Sequence, residues 1–596
     1  MIVQELHKIQ HEFGYLPREQ LFALQERLNA GRSEAKDQIK LYQLHQVASF
    51  FPHFRLEPPP AADVRVCRDM ACFLNGGPEC RAKLEALAGE IGGRQVTVGG
   101  VSCLGQCDRP PAVTINDQVY RGKSIDELRQ LVQMAAAGEA LPRQTADRGP
   151  LGWKIDPYNG QSRYACIERF VKDWQARQRP DPQAEPAQIE DPVEWTLGEM
   201  KTANLRGMGG GGFPTRDKWA TVRSLPGDVK YAVCNGDESE PGTFKDRELL
   251  RRAPHLVIEG ITLAGLVTGA KQGWIYIRHE YQEEIAAVEE ELEKAREKRA
   301  IGPRVFGSHL SFQLEVFQSP GGYICGEESA LLEAMEDRRA EPRNKPPFIH
   351  LEGYQKKPTV LNNVETFSWV PAILIHGGAW YRDQGAHGAT GMRFVSISGD
   401  VARPGVYEVP FGQTVRELIF DSAGGMAGGQ QLKAVAMSGP SGGFLPTKCA
   451  LANFSPGFKT RLVERKVIAP EAATFDLLDL PLDWGLLKPD LMLGAAFVVY
   501  GDRRNMAEQA LNCTEFYRNE SCGKCVPCRI GSQKMAQMLR TLIDGEGPLD
   551  VGLLQELGEV VTLTSICGLG QVVYNPIKSV LRYFREDFDH YLTQFS

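Results

Sequence analysis

The sequence predicts a multidomain α/β protein that ends in a helical bundle, and three observations carry that expectation. The chain has 596 residues, which at roughly 100–200 residues per domain corresponds to about three to five domains. Apolar runs of strand type alternate with helical stretches and glycine-rich turns from residue 63 to residue 480. From residue 503 onward that strand-type alternation stops.

Composition excludes several classes. Hydrophobic residues make up 42% and charged residues 24%, as in folded globular chains rather than disordered ones. A net charge of −7 argues against non-specific binding to nucleic acid or anionic membranes. No run of 18 apolar residues exists: Met492–Tyr500 is too short, and Leu256–Ala270 carries Glu259. The N-terminal MIVQELHKIQHEFGYLP is charged throughout and lacks an apolar signal core, so a cytosolic location is expected. In a reducing compartment, clustered members of the 14 cysteines are expected to bind metal or do redox chemistry rather than form disulfides.

The elements follow in order. Residues 1–60 read as helical, with Ile2, Leu6, Ile9 and Phe13 at helical spacing, a second apolar stretch at Leu41–Phe51 and a closing Pro58-Pro59-Pro60. Residues 61–140 read as a small α/β domain, with strands at Asp63–Cys67 and Gln95–Val101 around a helix at Cys80–Ile91. Residues 141–192, rich in Pro, Gln, Arg and Asp, read as a connector wrapping the next domain. Residues 193–388 are glycine-rich, with strands at Tyr231–Cys234 and Gly273–Ile277. The run EEIAAVEEELEKAREK in that unit reads as a solvated amphipathic helix over Gln282–Lys298. Residues 389–480 are β-rich and glycine-punctuated, and residues 481–596 form the helical C-terminal unit.

Two cysteine sets carry metal chemistry. Cys67-x4-Cys72 and Cys103-x3-Cys107 offer four thiolates on two loops, a donor set suited to [2Fe–2S] or to zinc. The wide loops favour a cluster over the x2 knuckles of structural zinc. Cys522-x2-Cys525-x2-Cys528 with the remote Cys567 has the spacing of a [4Fe–4S] site. Gly523, Gly568 and Gly570 let the backbone pass close to the sulfides. The other six cysteines read as ordinary small residues, Cys234 and Cys325 as core.

Glycine-rich and acidic blocks point to a nucleotide. Arg206-Gly-Met-Gly-Gly-Gly-Gly-Phe213 contains G-x-G-x-x-G, but the EMKTANLRG before it reads as helix, so a standard dinucleotide fold is not supported. Its glycines still allow backbone N–H groups to approach a phosphate or flat ring, with Lys218 in reach of a phosphate. The block Cys234-Asn-Gly-Asp-Glu-Ser-Glu-Pro-Gly-Thr-Phe-Lys-Asp-Arg247 either binds a cation, offers acceptors to a polyol, or is a solvated turn. Gly321-Gly-Tyr-Ile-Cys-Gly-Glu-Glu-Ser329, Arg343-Asn-Lys-Pro-Pro-Phe348 and Leu361-Asn-Asn-Val-Glu-Thr366 look like further parts of one pocket.

Together these motifs resemble the flavin-bearing, NADH-oxidising subunit of respiratory complex I and its relatives in soluble hydrogenases and formate dehydrogenases. The resemblance spans almost the whole chain: residues 1–145 look like the small [2Fe–2S] subunit and residues 190–596 like the flavin subunit, here fused. It implies a thioredoxin-like [2Fe–2S] domain, an FMN- and NAD-binding domain, a β-grasp-like (SLBB-type) domain and a helical [4Fe–4S] domain. It also implies roles. Gly207, Gly209, Gly210 and Lys218 would hold FMN phosphate and ring, and Asn235, Asp237 and Glu238 the flavin and ribityl chain. Glu240 would lie at the nicotinamide face; Tyr323, Gly326 and Glu327 would wall the flavin, and Glu328 would accept from the NADH ribose. Asn362, Asn363 and Thr366 would sit beside the phosphate, and Phe213 and Phe348 would sandwich adenine with Lys345 nearby. Glu240 and Glu328 are the candidate catalytic residues. The family often has an Arg, an Ala and a Gly where Met208, Gly211 and Arg216 stand here, and an aromatic in the Thr221-Val222 region.

The fused layout and the stretches SGGFLP, LPLDWG and SICGLGQ look most like the β subunit of NAD-dependent formate dehydrogenases. That implies a molybdenum- or tungsten-containing α subunit with further clusters as partner, in a hetero-oligomer without nucleic acid or membrane span. The same module serving a hydrogenase, complex I or a benzoyl-CoA reductase-type complex is the alternative. A bifurcating enzyme and a non-catalytic relay subunit are the more distant readings.

Overall fold

The computed structural model describes all residues except 33, 35–37, 93–94, 147, 149–151, 159, 161, 179–190 and 593–596. Helices Ile2–Phe13, Arg18–Asn29 and Leu41–Phe50 open the chain. The first buries Ile2, Val3, Leu6 and Ile9. It docks on distant chain: the Val3 N–H donates to Asp337 Oδ1 at 3.0 Å, and Gln4 donates to the Gln318 carbonyl at 2.9 Å.

Strands β1 (Ala62–Cys67), β2 (Val96–Val101), β3 (Ala112–Ile115) and β4 (Gln118–Arg121) form a sheet in the order β2-β1-β3-β4. Strands β1 and β2 are parallel, so both run toward the same edge. Cys67 ends β1 and Cys103 follows β2, which brings the two cysteine loops together. Asn116 and Asp117, both at positive φ, close the β3–β4 hairpin.

The stretch read as a connector contains the helix Ala165–Gln178, which buries Cys166, Ile167, Phe170 and Val171. Its anchor is Glu259, in the helix Pro254–Thr268. Glu259 accepts from the Tyr158 hydroxyl (2.7 Å) and the Cys166 N–H (3.0 Å). Every residue of Pro254–Thr268 is buried, which explains its apolar sequence without a membrane. Among the described residues no helix is long and apolar enough to cross one.

Strands β5 (Tyr231–Gly236), β6 (Gln272–Arg278), β7 (Gln313–Ser319) and β8 (Thr359–Asn363) form a parallel sheet in the order β7-β6-β5-β8. The chain steps outward from β5 to β7 and then returns to the other side of β5. The β5–β8 edge is therefore a topological switch point, where a crevice opens at the carboxyl ends of the strands. The charged helix Gln282–Glu297 is not solvated all along its acidic run. Glu284 and Glu291 are buried, and Glu291 accepts from the Tyr164 hydroxyl (2.8 Å) and Arg163 (2.7 Å). Those partners come from the connector, so local charge spacing could not reveal them.

Strands β9 (Met392–Gly399), β10 (Gly405–Pro410), β11 (Leu432–Pro440) and β12 (Leu445–Pro446) belong to a third sheet, and β13 (Lys448–Ala450) pairs separately with β14 (Thr474–Asp476). The third sheet has the order β10-β9-β15-β11-β12, and its central strand β15 is Ala496–Gly501. This corrects the boundary expected at residue 480. The apolar run Ala496-Phe-Val-Val-Tyr-Gly501 is buried on both faces, as suits a central strand, and its two edges pair with β9 and β11 across an intervening excursion. Helices follow from Met506–Glu520 to Arg585–Leu592.

Candidate functional site

One cavity of about 540 Å³ lies at the β5–β8 switch point, a size ordinary for a cofactor site. Its floor is the glycine-rich loop. The Gly207 N–H donates to the Phe213 carbonyl (2.9 Å), the Gly212 N–H to the Gly207 carbonyl (3.2 Å), and Arg206 bridges to Pro214. The Met208 N–H donates to Thr366 Oγ1 at 2.9 Å, which pins the loop to the helix after β8. Gly209 and Gly210 are left facing the cavity. Gly210 has φ +103°, and a Cβ there would enter open space, so the loop is a glycine-built cradle that fits a flat or phosphate-bearing group.

The acidic block forms one wall. Asn235 donates to the Gly326 carbonyl (3.0 Å) and accepts from the Asp237 N–H (3.0 Å), fixing the turn that presents Asp237. Burial pushes the Asp237 carboxyl up to about 7, against the pull of Arg278. Glu240 lines the cavity and accepts from the Tyr323 and Ser441 hydroxyls. Burial raises its pKa, and those two donors oppose the rise. Glu238 borders the cavity, but its oxygens serve the backbone. They accept from the N–H groups of Asp246 (2.8 Å) and Arg247 (3.0 Å), at the start of the helix Lys245–Arg252. Glu238 thus caps that helix from within the cavity wall, and burial followed by the neighbouring Asp246 pushes it up to about 8.

Of the residues expected at the cofactor, Gly209, Gly210, Asp237, Glu238, Glu240, Tyr323, Gly326, Glu327 and Asn363 line this cavity. The others lie behind or beside it. Asn362 is turned away, its Oδ1 accepting from the Trp219 indole at 3.0 Å. Lys218 is half-buried and donates to the Leu361 carbonyl at 2.9 Å. Burial lowers its pKa, Glu328 raises it and Lys345 lowers it. Lys345 bridges Glu327 (2.9 Å) and Glu328 (2.6 Å). Phe213 and Phe348 are about half exposed, and Phe348 stacks on His350 at 5.8 Å. Lys218, Glu328, Lys345 and His350 thus form a polar cluster next to Glu327, outside the main cavity.

Sequence reasoning missed several lining groups: Lys245, Ser438, Ser441, Lys488 and the Leu491–Ala496 segment. Lys245 donates to Asp246 (2.6 Å), pairs with Glu365 (2.9 Å) and donates to Asn363 (3.2 Å). Burial alone would favour its neutral amine, but Asp246, Glu365 and Glu238 hold it protonated. It is the buried cation of the cavity. Only its place inside the acidic block could have signalled it; Ser441 and Lys488 arrive from elsewhere in the chain.

Both cysteine sets border this centre. The Cys103 and Cys107 sulfurs lie 3.4 Å apart, and the Cys67 thiol faces those of Cys72 and Cys103. The Gly105 N–H donates to the Cys103 sulfur at 3.5 Å. The Gly242 N–H is directed at Cys107, and Phe244 packs against Cys103 and Cys107. Glu240 and Thr243 of that loop also line the cavity. Cys567 and Gly568 line it directly. A Cβ on Gly570 would sit 3.1 Å from Cys528 Cβ, so the two loops of the second set meet there. The Cys528 sulfur lies 3.2 Å from the Ser521 hydroxyl, and Cys522 and Cys525 are half-buried. Four soft sulfurs on paired loops with backbone N–H donors fit iron–sulfur clusters.

Comparison with known proteins agrees with this layout. Residues 1–136 match the thioredoxin-like [2Fe-2S] ferredoxin family, 200–372 the Nuo51 FMN-binding domain, 394–445 the SLBB domain and 508–591 the NADH-ubiquinone oxidoreductase-F iron-sulfur binding region. The chain is 31% identical to the NAD-reducing hydrogenase HoxS subunit alpha of Cupriavidus necator, over all of this chain and 92% of that one. It is 38% identical to the NADP-reducing hydrogenase subunit HndC of Solidesulfovibrio fructosivorans over 65% of this chain and 74% of that one. With an NADH-quinone oxidoreductase subunit of Escherichia coli the identity is 36%, over 66% of this chain and 83% of that one. A chain in the crystal structure of an air-oxidized NAD+-reducing [NiFe]-hydrogenase superposes with a TM-score of 0.79 and 27% identity, over 99% of this chain and 93% of that one. The chain therefore belongs to the family of NAD-linked diaphorase subunits that carry flavin and iron–sulfur clusters, in the form that fuses the thioredoxin-like [2Fe–2S] domain to the FMN, SLBB and [4Fe–4S] domains.

Proposed function

We propose that the β5–β8 cavity holds FMN with NAD entering beside Glu240, and that Cys522, Cys525, Cys528 and Cys567 carry the [4Fe–4S] cluster that meets a partner. Cys67, Cys72, Cys103 and Cys107 carry the [2Fe–2S] cluster. The observation that carries this reading is a single cavity lined both by Gly209 and Gly210 and by Cys567 and Gly568. When bound, FMN takes a hydride and releases electrons one at a time, which links NAD to one-electron clusters. Gly209 and Gly210 offer the close backbone approach, and Lys245 supplies a fixed positive charge. Asp237, held by the Asn235 turn, faces the polyol region. Glu240 holds or releases a proton at its carboxylate between Tyr323 and Ser441, and no other side chain need transfer one. Glu327 and Glu328, paired to Lys345, disfavour a 2′-phosphate, so NAD is preferred over NADP.

The partner we propose is a molybdenum- or tungsten-containing formate dehydrogenase α subunit, on the strength of the fused layout and the stretches SGGFLP, LPLDWG and SICGLGQ. A hydrogenase partner is the second reading, favoured by the full-length similarity to the HoxS subunit. Either would dock near Cys522 and Cys567, where Val526, Ile530, Leu563 and Ile566 expose apolar side chains. NADH formation by the purified complex, followed by absorbance with formate and separately with hydrogen, tests this. Formate-dependent reduction supports the first reading and hydrogen-dependent reduction the second. Failure of both, in a preparation containing FMN and iron that also fails to oxidise NADH with an artificial acceptor, overturns the diaphorase assignment.

A further inference from the structure

A second cavity, of about 300 Å³, lies between the [2Fe–2S] domain, the helix Lys245–Arg252 and β10. We propose that it binds a phosphate-type oxyanion. Its lining is dominated by guanidinium groups from separate parts of the chain. Arg109 and Arg121 come from the cluster domain, and Arg247, Arg251 and Arg252 from one helix.

Among the described residues the carboxylates around them are fewer than the guanidiniums. Asp108 engages Arg247 through both oxygens, each at 3.0 Å. Glu248 is shared by three guanidiniums, those of Arg247 (3.0 Å), Arg251 (2.5 Å) and Arg252 (2.7 Å). Glu283, behind the cavity, lies 3.6 Å from Arg121 and 3.9 Å from Arg251. Glu284 is buried near Arg247 and Arg251, and burial pushes it up to about 7, so at neutral pH it offsets only part of a charge.

Orphaned donors give the second, independent sign. Arg121 is 6% exposed, yet among the described residues its Nη2 has no hydrogen-bond partner, the Glu283 carboxylate standing off at 3.6 Å; Arg251 Nε likewise has none among them. Burial and the neighbouring Arg247 and Arg251 lower the Arg121 pKa while Glu283 raises it. Buried guanidinium N–H groups are costly to leave unpaired, and an anion resolves both the charge and the donors at once. Arginine forks approaching from several directions match a tetrahedral oxyanion, and the cavity is too small for a dinucleotide. Arg109, 60% exposed and 4.0 Å from Asp108, is the most solvent-accessible guanidinium of the lining. The ligand class is thus inorganic phosphate or a small phosphate monoester, bound where it braces the cluster domain against the flavin domain.

The test is calorimetric titration of the FMN-loaded complex, with NAD saturating the nucleotide site and ionic strength matched with chloride. Inorganic phosphate and glycerol phosphate are the probes. Arg109→Gln, on the surface, and Arg121→Gln, in the wall, are compared with Arg81→Gln, an exposed arginine elsewhere on the same domain. Saturable binding is expected, weakened about tenfold by either cavity variant and unchanged by Arg81→Gln. Tighter binding of phosphate identifies the free ion, and tighter binding of glycerol phosphate an organic monoester. No saturable binding of either probe, or binding that all three variants leave unchanged, overturns the proposal.

Discussion

At Glu240 a buried carboxylate is held between two hydroxyls, and that balance governs how the cavity handles a proton. Tyr323→Phe removes one donor to the charged form, so the Glu240 pKa moves further up. NADH oxidation in this variant is expected to show its limb at higher pH and to lose roughly tenfold in rate at neutral pH, with FMN content unchanged. A profile superposing on the wild type would remove Glu240 from the chemistry. Glu259 gives a stability counterpart away from the site. Burial pushes it from 4.5 up to about 7. Because the folded state binds this proton more tightly, the stability it adds is complete below 4.5 and is lost as pH rises through about 7. The difference amounts to about 3 kcal/mol. Glu259→Gln should flatten the pH dependence of the unfolding midpoint across that window, and an unchanged dependence would contradict the assignment. Neither behaviour is legible in the sequence. Glu240 stands out as one of several acids, but its partners Tyr323 and Ser441 lie far along the chain, and only the fold brings them to it.

At the scale of elements, the crossing of Pro254–Thr268 and Val364–His376 supports the site from behind. Gly260 makes it possible: a Cβ there would lie 2.1 Å from the Phe367 carbonyl oxygen. Phe367 follows Thr366, which anchors the glycine-rich loop through the Met208 N–H. Gly260→Ala should cost roughly 1–3 kcal/mol by overpacking and weaken FMN retention, measured as flavin per protein after gel filtration. Thr366→Val should weaken FMN retention with a smaller loss of stability, because it removes one acceptor of about 1 kcal/mol and adds no bulk. The elements themselves are readable where their signal is local. The strand ending at Cys67 and the helix after Gly77 follow from their own periodicity. The strand Ala496–Gly501 cannot be assigned to its sheet in the same way, because its partners lie in β9 and β11 and nothing nearby marks the pairing.

At the scale of the whole molecule, the chain brings two cysteine sets to one cavity. The loop Glu240–Phe244 connects it to Cys103 and Cys107, and Cys567 borders it directly. The cysteine motifs are legible because ligand spacing is a local property. The glycine-rich and acidic blocks are legible as parts, but the wall made by Ser438, Ser441, Lys488 and Cys567 is not, since it joins three regions far apart in sequence. The arginine cavity escapes for the same reason: Arg109 and Arg121 meet Arg247 only across domains. This architecture predicts that Cys567→Ala abolishes electron delivery to the partner while NADH oxidation by a small artificial acceptor persists. The central claim is that the cavity joins NAD to both clusters, and low-temperature electron paramagnetic resonance after mixing the FMN-loaded chain with NADH tests it most directly. The account predicts two distinct reduced-cluster signals that both require FMN, with the [4Fe–4S] signal alone lost in Cys567→Ala. Reduction of either cluster in flavin-free protein, or a [4Fe–4S] signal that survives Cys567→Ala, would contradict it.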